Sequence, residues 1–171
     1  MTPAQYVIGF VLLQRLAELL LAQHNARKLL DEGGIEYGAE HYPYLVLLHA
    51  GWLLALVVSV PAEAKINAFW LAVFVLLQIG RVWVIASLGR FWTTRIITLP
   101  GAPLVRHGPY RYVRHPNYLV VAGEIAVLPL VFDKWVIAVL FSAINALLLR
   151  ERIAAEDAAL ASRRQITPSG S

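Results

Sequence analysis

Gly108-Pro109-Tyr110-Arg111-Tyr112-Val113-Arg114-His115-Pro116-Asn117-Tyr118 is a run of concentrated polar and aromatic chemistry set between two long apolar blocks. Gly108-Pro109 interrupts regular structure. A residue preceding proline is driven out of the α region, and proline itself suits the first turn of a helix. The stretch therefore predicts a helix that opens at Pro116, with His115 held just outside it. A helix start presents N–H groups and the positive end of the dipole, which favour a carboxylate or another electron-rich ligand group.

Outward from this stretch the chain is apolar. Of its 171 residues 58% are hydrophobic and only 15% charged, against about a quarter charged in soluble domains. Such a chain belongs in a bilayer. Cysteine is absent and the five histidines have no close ligand spacing, so disulfides are excluded and no metal is expected. The N-terminal run lacks a basic leader and carries Arg15 and Glu18, which argues against a cleaved secretory signal.

Apolar runs of near-spanning length predict about five transmembrane helices: Pro3 to Ala22, Tyr44 to Val60, Ile66 to Leu88, Asn117 to Phe132 and Lys134 to Leu149. The fold class expected is an all-α integral membrane protein. Asp133-Lys134 is the turn of a C-terminal helical hairpin, and Arg150 to Arg164 continues it as an amphipathic helical extension. One domain results: three helices over 1–88, a cytoplasmic connector and motif over 89–116, the hairpin and its extension over 117–164, and a disordered tail over 165–171. Residues His24 to Tyr42 read as a polar loop with a short helix, where Tyr37, His41 and Tyr44 are interfacial aromatics. Thr93 to Thr98 alternates and is followed by Pro100-Gly101, predicting a short β-hairpin before the fourth helix.

Charges inside the spans need partners. Arg15 and Glu18 stand three apart on one helical face and neutralise each other. Glu124 faces the interior near Arg81 or a substrate tunnel, Arg81 pairs with an acid or reaches the interface, and His49 is an interior, hydrogen-bonded histidine. Outside the spans, Arg27, Lys28, Arg90, Arg95, Arg106, Arg111, Arg114, Arg150, Arg152, Arg163 and Arg164 fall on one side, and Lys65 and Lys134 on the other. The positive-inside rule puts the N-terminus outside and the motif in the cytoplasm. That sorting accounts for the basic balance with membrane lipids as partners and without nucleic acid.

The string Arg114-His115-Pro116-Asn117-Tyr118 resembles the Arg-His-Pro-x-Tyr signature of the isoprenylcysteine carboxyl methyltransferase family. Its second signature, after the last membrane helix, is matched by Arg152-Ile153-Ala154-Ala155-Glu156-Asp157-Ala158-Ala159-Leu160. The resemblance implies a membrane enzyme that uses S-adenosyl-L-methionine. It assigns Arg114, His115, Pro116, Tyr118 and Glu156 to the cofactor and Arg152 to an anionic substrate group, with Glu124 and Arg81 along the substrate path. Asp157 stands where a second Glu is usual, about one methylene short in reach. Independently of the resemblance, an antiparallel hairpin puts Tyr118 level with Arg150 to Glu156. The i, i+4 spacing of Arg152 and Glu156 also fits a solvated surface pair, and Tyr110 and Tyr112 read as interfacial belt residues.

The acceptor implied is lipophilic, either a prenylcysteine carboxylate or the hydroxyl of an alkylpyrone- or alkylresorcinol-type lipid, as in short bacterial members. A phenol of pKa near 10 needs a base where a carboxylate does not, and His115 or Asp157 would serve. A phospholipid N-methyltransferase, a sterol-reductase-like NADPH enzyme and a non-catalytic membrane scaffold are the alternatives.

Overall fold

The computed structural model describes residues 2–166, with side chains through residue 161. Five helices make up the body. Helix α1 spans Pro3–Asp31, opened by Thr2, whose side chain accepts from the Gln5 N–H while the Gln5 side chain bonds back to Thr2 in a capping box. Helix α2 spans Tyr42–Ser59 and α3 spans Ala68–Leu88, the latter capped by Asn67 accepting from Trp70 at 3.3 Å. Helix α4 spans Pro116–Val131 and α5 spans Trp135–Ile166. Asp133, at φ +55°, turns the chain between the last two.

Pro3–Asp31, Ala39–Ser59 and Ala68–Phe91 are each long and apolar enough to cross a membrane. The 16 residues of α4 rise only about 24 Å, short of the roughly 30 Å hydrocarbon core. Leu13, Leu47, Val58, Leu76 and Leu147 are among the large apolar residues facing outward, as lipid-facing positions should. The core is apolar where the helices meet: Val11, Trp52, Leu56, Phe74, Ile125, Leu128 and Val131 pack as one cluster. Helix α3 lies along α4, α4 along α5 and α2 along α5, while α1 touches α2 sparsely.

Two expectations need correction. The polar loop from His24 does not begin there, because α1 continues to Asp31. Ala, Leu, Lys and Arg sustain the helix and no Gly or Pro stops it before Gly33. Asn25 also ties this turn down, donating from Nδ2 to the Gly89 carbonyl at 3.2 Å and the Trp92 carbonyl at 2.8 Å. Nor do the described residues form a local hairpin before α4. Strand β2, Ile96–Thr98, pairs antiparallel with β1, Ile35–Tyr37, in the register Ile35 to Thr98 and Tyr37 to Ile96. The partner came from the first connector because the extension of α1 delivers Ile35 beside Thr98. At the other end, α5 is helical to Ile166, past the Arg164 limit expected, and the tail expected to be disordered otherwise lies outside the described residues.

Candidate active site at the opening of the fourth helix

Pro116 occupies the first turn of α4 and His115 sits outside it at φ −128°, ψ 59°, as the dipeptide requires. The amides of Tyr118 and Leu119 turn back to the His115 carbonyl at 3.1 and 3.4 Å, so this start offers fewer open N–H groups than expected. Gly108 anchors the motif to α3. Its φ is +59°, and a Cβ there would overlap Ser87 Oγ. Glycine is required on both counts.

The hairpin brings the two signatures together. The Tyr118 hydroxyl donates to Glu156 and accepts from Arg152 Nε at 3.1 Å. Arg152 is only 8% exposed; its Nη2 donates to the Thr94 carbonyl at 2.7 Å, and its guanidinium lies 5.8 Å from the Tyr118 ring. Arg152 and Glu156 are therefore joined through a phenol rather than paired on a solvated surface. Nε and Nη2 of Arg152 are thus fixed by the protein itself, and the residue lines a cavity on each side.

His115 stacks on Tyr118, with ring centroids 5.5 Å apart. Its Nδ1 lies 3.6 Å from Glu156 and its Nε2 lies 3.3 Å from Asp157. Both nitrogens are buried at ion-pair distance without a well-formed hydrogen bond. Glu156 raises the pKa of His115, as the partner that Nδ1 approaches and as a charge; burial opposes the rise and Asp157 adds to it. The imidazole is thus drawn toward its protonated form, which suits an anchor for an anionic group better than a base.

Two cavities meet at this knot. One, of about 410 Å³, lies among the end of α3, the connector, the start of α4 and the end of α5; Trp92, Tyr110, Arg114, His115, Tyr118, Arg152, Glu156 and Leu160 line it. The other, of about 290 Å³, runs down between α1, α2 and α5 and is lined by Leu45, Val46, His49, Leu53, Val121, Leu149 and the charged Arg15, Glu18 and Arg81. Trp92, Thr93, Asn117, Tyr118 and Arg152 border both. Their volumes lie around the lower end of the range for small-ligand sites, about 300–1,000 Å³.

The site residues expected from sequence divide accordingly. His115, Tyr118, Arg152 and Glu156 converge, and Arg114 is an exposed residue at the rim of the first cavity. Pro116 is buried under the turn, and Asp157 acts on His115 from outside both cavity walls. Arg81 lines the second cavity, but Glu124, 1% exposed, lies behind it. There it receives Arg81 Nη1 at 2.8 Å and Gln78 at 2.8 Å and forms an ion pair with Arg15 Nη2 at 2.9 Å. Tyr110 corrects the interfacial-belt assignment: it lines the first cavity, where burial pushes its hydroxyl pKa up. Tyr112, at 75% exposed, is a surface residue. Thr94, Trp92 and Tyr42 went unnoticed, since a backbone carbonyl on Arg152 and an apolar cavity wall leave no sequence motif.

The first cavity suits the cofactor of the resemblance on its own features. It offers the imidazole of His115, the carboxylate of Glu156, and apolar surfaces at Leu88, Phe91, Ile97 and Leu160 for a ring and a thioether.

Comparison with known proteins bears on the family. The sequence pattern of the isoprenylcysteine carboxyl methyltransferase (ICMT) family matches residues 70–162. The uncharacterized protein YpbQ of Bacillus subtilis is 42% identical over 158 residues, covering 90% of this chain and 94% of that protein. An uncharacterized protein of Haemophilus influenzae is 26% identical over 155 residues, covering 88% of this chain and 90% of its own length. No solved structure gives a significant match. With residues 70–162 matched, more than half of the chain, and with both signature strings facing each other across one helical hairpin, the chain belongs to the isoprenylcysteine carboxyl methyltransferase family, a family of membrane methyltransferases.

Proposed function

We propose that this chain is an S-adenosyl-L-methionine-dependent O-methyltransferase whose acceptor is a lipophilic molecule with an ionisable oxygen. The cofactor enters the first cavity from the cytoplasm and the acceptor enters the second from the bilayer, with the N-terminus outside. The supporting observation is the wall of Tyr118 and Arg152 shared by the two cavities. A chamber of mixed polarity and an apolar chamber that meet at a buried cation are what transfer between a water-soluble donor and a membrane-dissolved acceptor asks for.

Bound in the first cavity, S-adenosyl-L-methionine supplies an electrophilic methyl group on a sulfonium. His115, Tyr118 and Glu156 would hold it, with Arg114 at the rim. Arg152 presents Nη1 to the acceptor oxygen and stabilises it as an anion, through a planar fork already fixed by Thr94 and Tyr118. The apolar lining excludes water from that pair, which strengthens the attraction. A carboxylate acceptor arrives ionised and asks only for this orientation. A phenol or enol must also lose a proton, and a His115 drawn toward its cation by two acids is poorly placed to take it.

Calorimetric titration of detergent-purified protein with S-adenosylhomocysteine tests the reading, beside NADPH and a Glu156→Ala variant. Micromolar binding of the first, lost in the variant, is expected. A folded sample that binds neither nucleotide sinks the methyltransferase, and one that binds NADPH is a reductase instead.

A further inference from the structure

The apolar cavity is polar at both ends. Its upper end is the Tyr118 and Arg152 wall. Its lower end, in the middle of the membrane, gathers side chains from four helices: Arg15 and Glu18 of α1, His49 of α2, Arg81 of α3 and Asn145 of α5. A cavity built only for hydrocarbon would close on aliphatic residues there.

Asn145 is 1% exposed and its Oδ1 has no hydrogen-bond partner. An unmet amide in a membrane interior is costly because no lipid group replaces water. His49 is oriented by its own backbone. Nδ1 lies 2.8 Å from the Leu45 carbonyl, a carbonyl only accepts, and so the neutral ring keeps Nε2 as an open acceptor. Arg15 likewise leaves Nε and Nη2 without a hydrogen bond. The charges, by contrast, are complete among themselves: Arg15 and Arg81 against Glu18 and Glu124. Two cations facing two anions leave no net charge for an ionic ligand group, only unused hydrogen-bonding capacity at neutral atoms.

We propose that the acceptor is bipolar: besides the oxygen it presents to Arg152, it carries a neutral hydroxyl-type group that Asn145 and His49 bind in the middle of the membrane. The separation is set by α5, on which Asn145 and Arg152 are seven positions apart, about 10 Å of helical rise. Between them the acceptor's apolar body lies along Leu45, Val121 and Leu149. A hydroxyl both donates to the open acceptors and accepts from the amide NH2, which either rotamer of the Asn145 amide permits. This rests on the assignment of the upper end in the preceding subsection; the lower end is tested separately.

The test uses the full chain in detergent with three probes: para-butylphenol, its analogue with a hydroxyl at the chain end, and its analogue with a carboxylate there. Binding is followed by tryptophan fluorescence, Trp92 being in the cavity wall. The ratio of affinities between probes, compared between wild type and Asn145→Leu, cancels partitioning into the micelle. The wild type should favour the terminal hydroxyl by about five-fold relative to Asn145→Leu, and the carboxylate should gain nothing. His49→Phe should reduce the same ratio and stands in if Asn145→Leu fails to fold. An unchanged ratio in the variants, or a preference for the carboxylate, overturns the proposal. Failure to bind S-adenosylhomocysteine would defeat the methyltransferase reading and leave this ratio measurable.

Discussion

Arg81→Leu is the severest single test of how the helices are held. Arg81 gives Glu18 two hydrogen bonds, Nε at 2.5 Å and Nη2 at 2.6 Å, and gives Glu124 a third from Nη1 at 2.8 Å. Its removal leaves two buried carboxylates sharing Arg15 alone. Breaking a buried pair by deleting one partner costs about 3–5 kcal/mol, because an uncompensated charge stays behind. For a chain of this size that lowers the melting temperature by roughly 6–20 °C. Glu18→Leu in the same background removes the stranded acid and keeps the Arg15 to Glu124 contact at 2.9 Å, so the double variant should recover more than half of the loss. Thermal melts in one detergent, followed by circular dichroism, measure both. Arg81→Leu melting within about 2 °C of wild type, or a double variant no better than the single, would refute the view that charge balance holds α1, α3 and α4 together.

Three further outcomes are expected. Tyr118→Phe removes the hydroxyl that joins Arg152 to Glu156 and should weaken S-adenosylhomocysteine binding about ten-fold with the fold intact; a change below two-fold would contradict the knot. The pKa of His115 is raised above 6.5, first by Glu156, so the stability from this pairing is full below the unfolded value and is lost as pH rises through the folded one. The melting temperature of wild type minus that of His115→Gln should therefore shrink as pH rises above 6.5, and a flat difference would remove the imidazolium from the account. Gly108→Ala forces a side chain into a positive φ and into Ser87, costing about 1–3 kcal/mol; a melting curve that overlays wild type would mean the motif is not seated on α3.

The spans and the pairing of the two signatures were legible because both depend on local signals. Twenty apolar residues fix a crossing helix, Pro116 fixes where α4 opens, and Asp133-Lys134 is too short to let α4 and α5 part. Arg15 with Glu18, and Arg81 with Glu124, were foreseeable since lipid offers a buried charge no other recourse. What stayed hidden depends on contacts between distant segments. Strand β2 chose Ile35–Tyr37 over a local turn because α1 runs on to Asp31. Asn145 carried no spacing or motif, and only the structure shows that it and His49 line one cavity.

The Arg15, Glu18, Arg81 and Glu124 cluster also sets an order of assembly during synthesis. Glu18 reaches the membrane 63 residues before Arg81 and Arg81 comes 43 residues before Glu124. At about 5–20 residues per second, α1 waits roughly 3–13 s for its main partner. Arg15, three residues from Glu18 and 2.8 Å away, is the counter-ion that α1 carries with it, so the apolar part of the first helix can enter lipid without net charge and gain Arg81 as a further partner once α3 arrives.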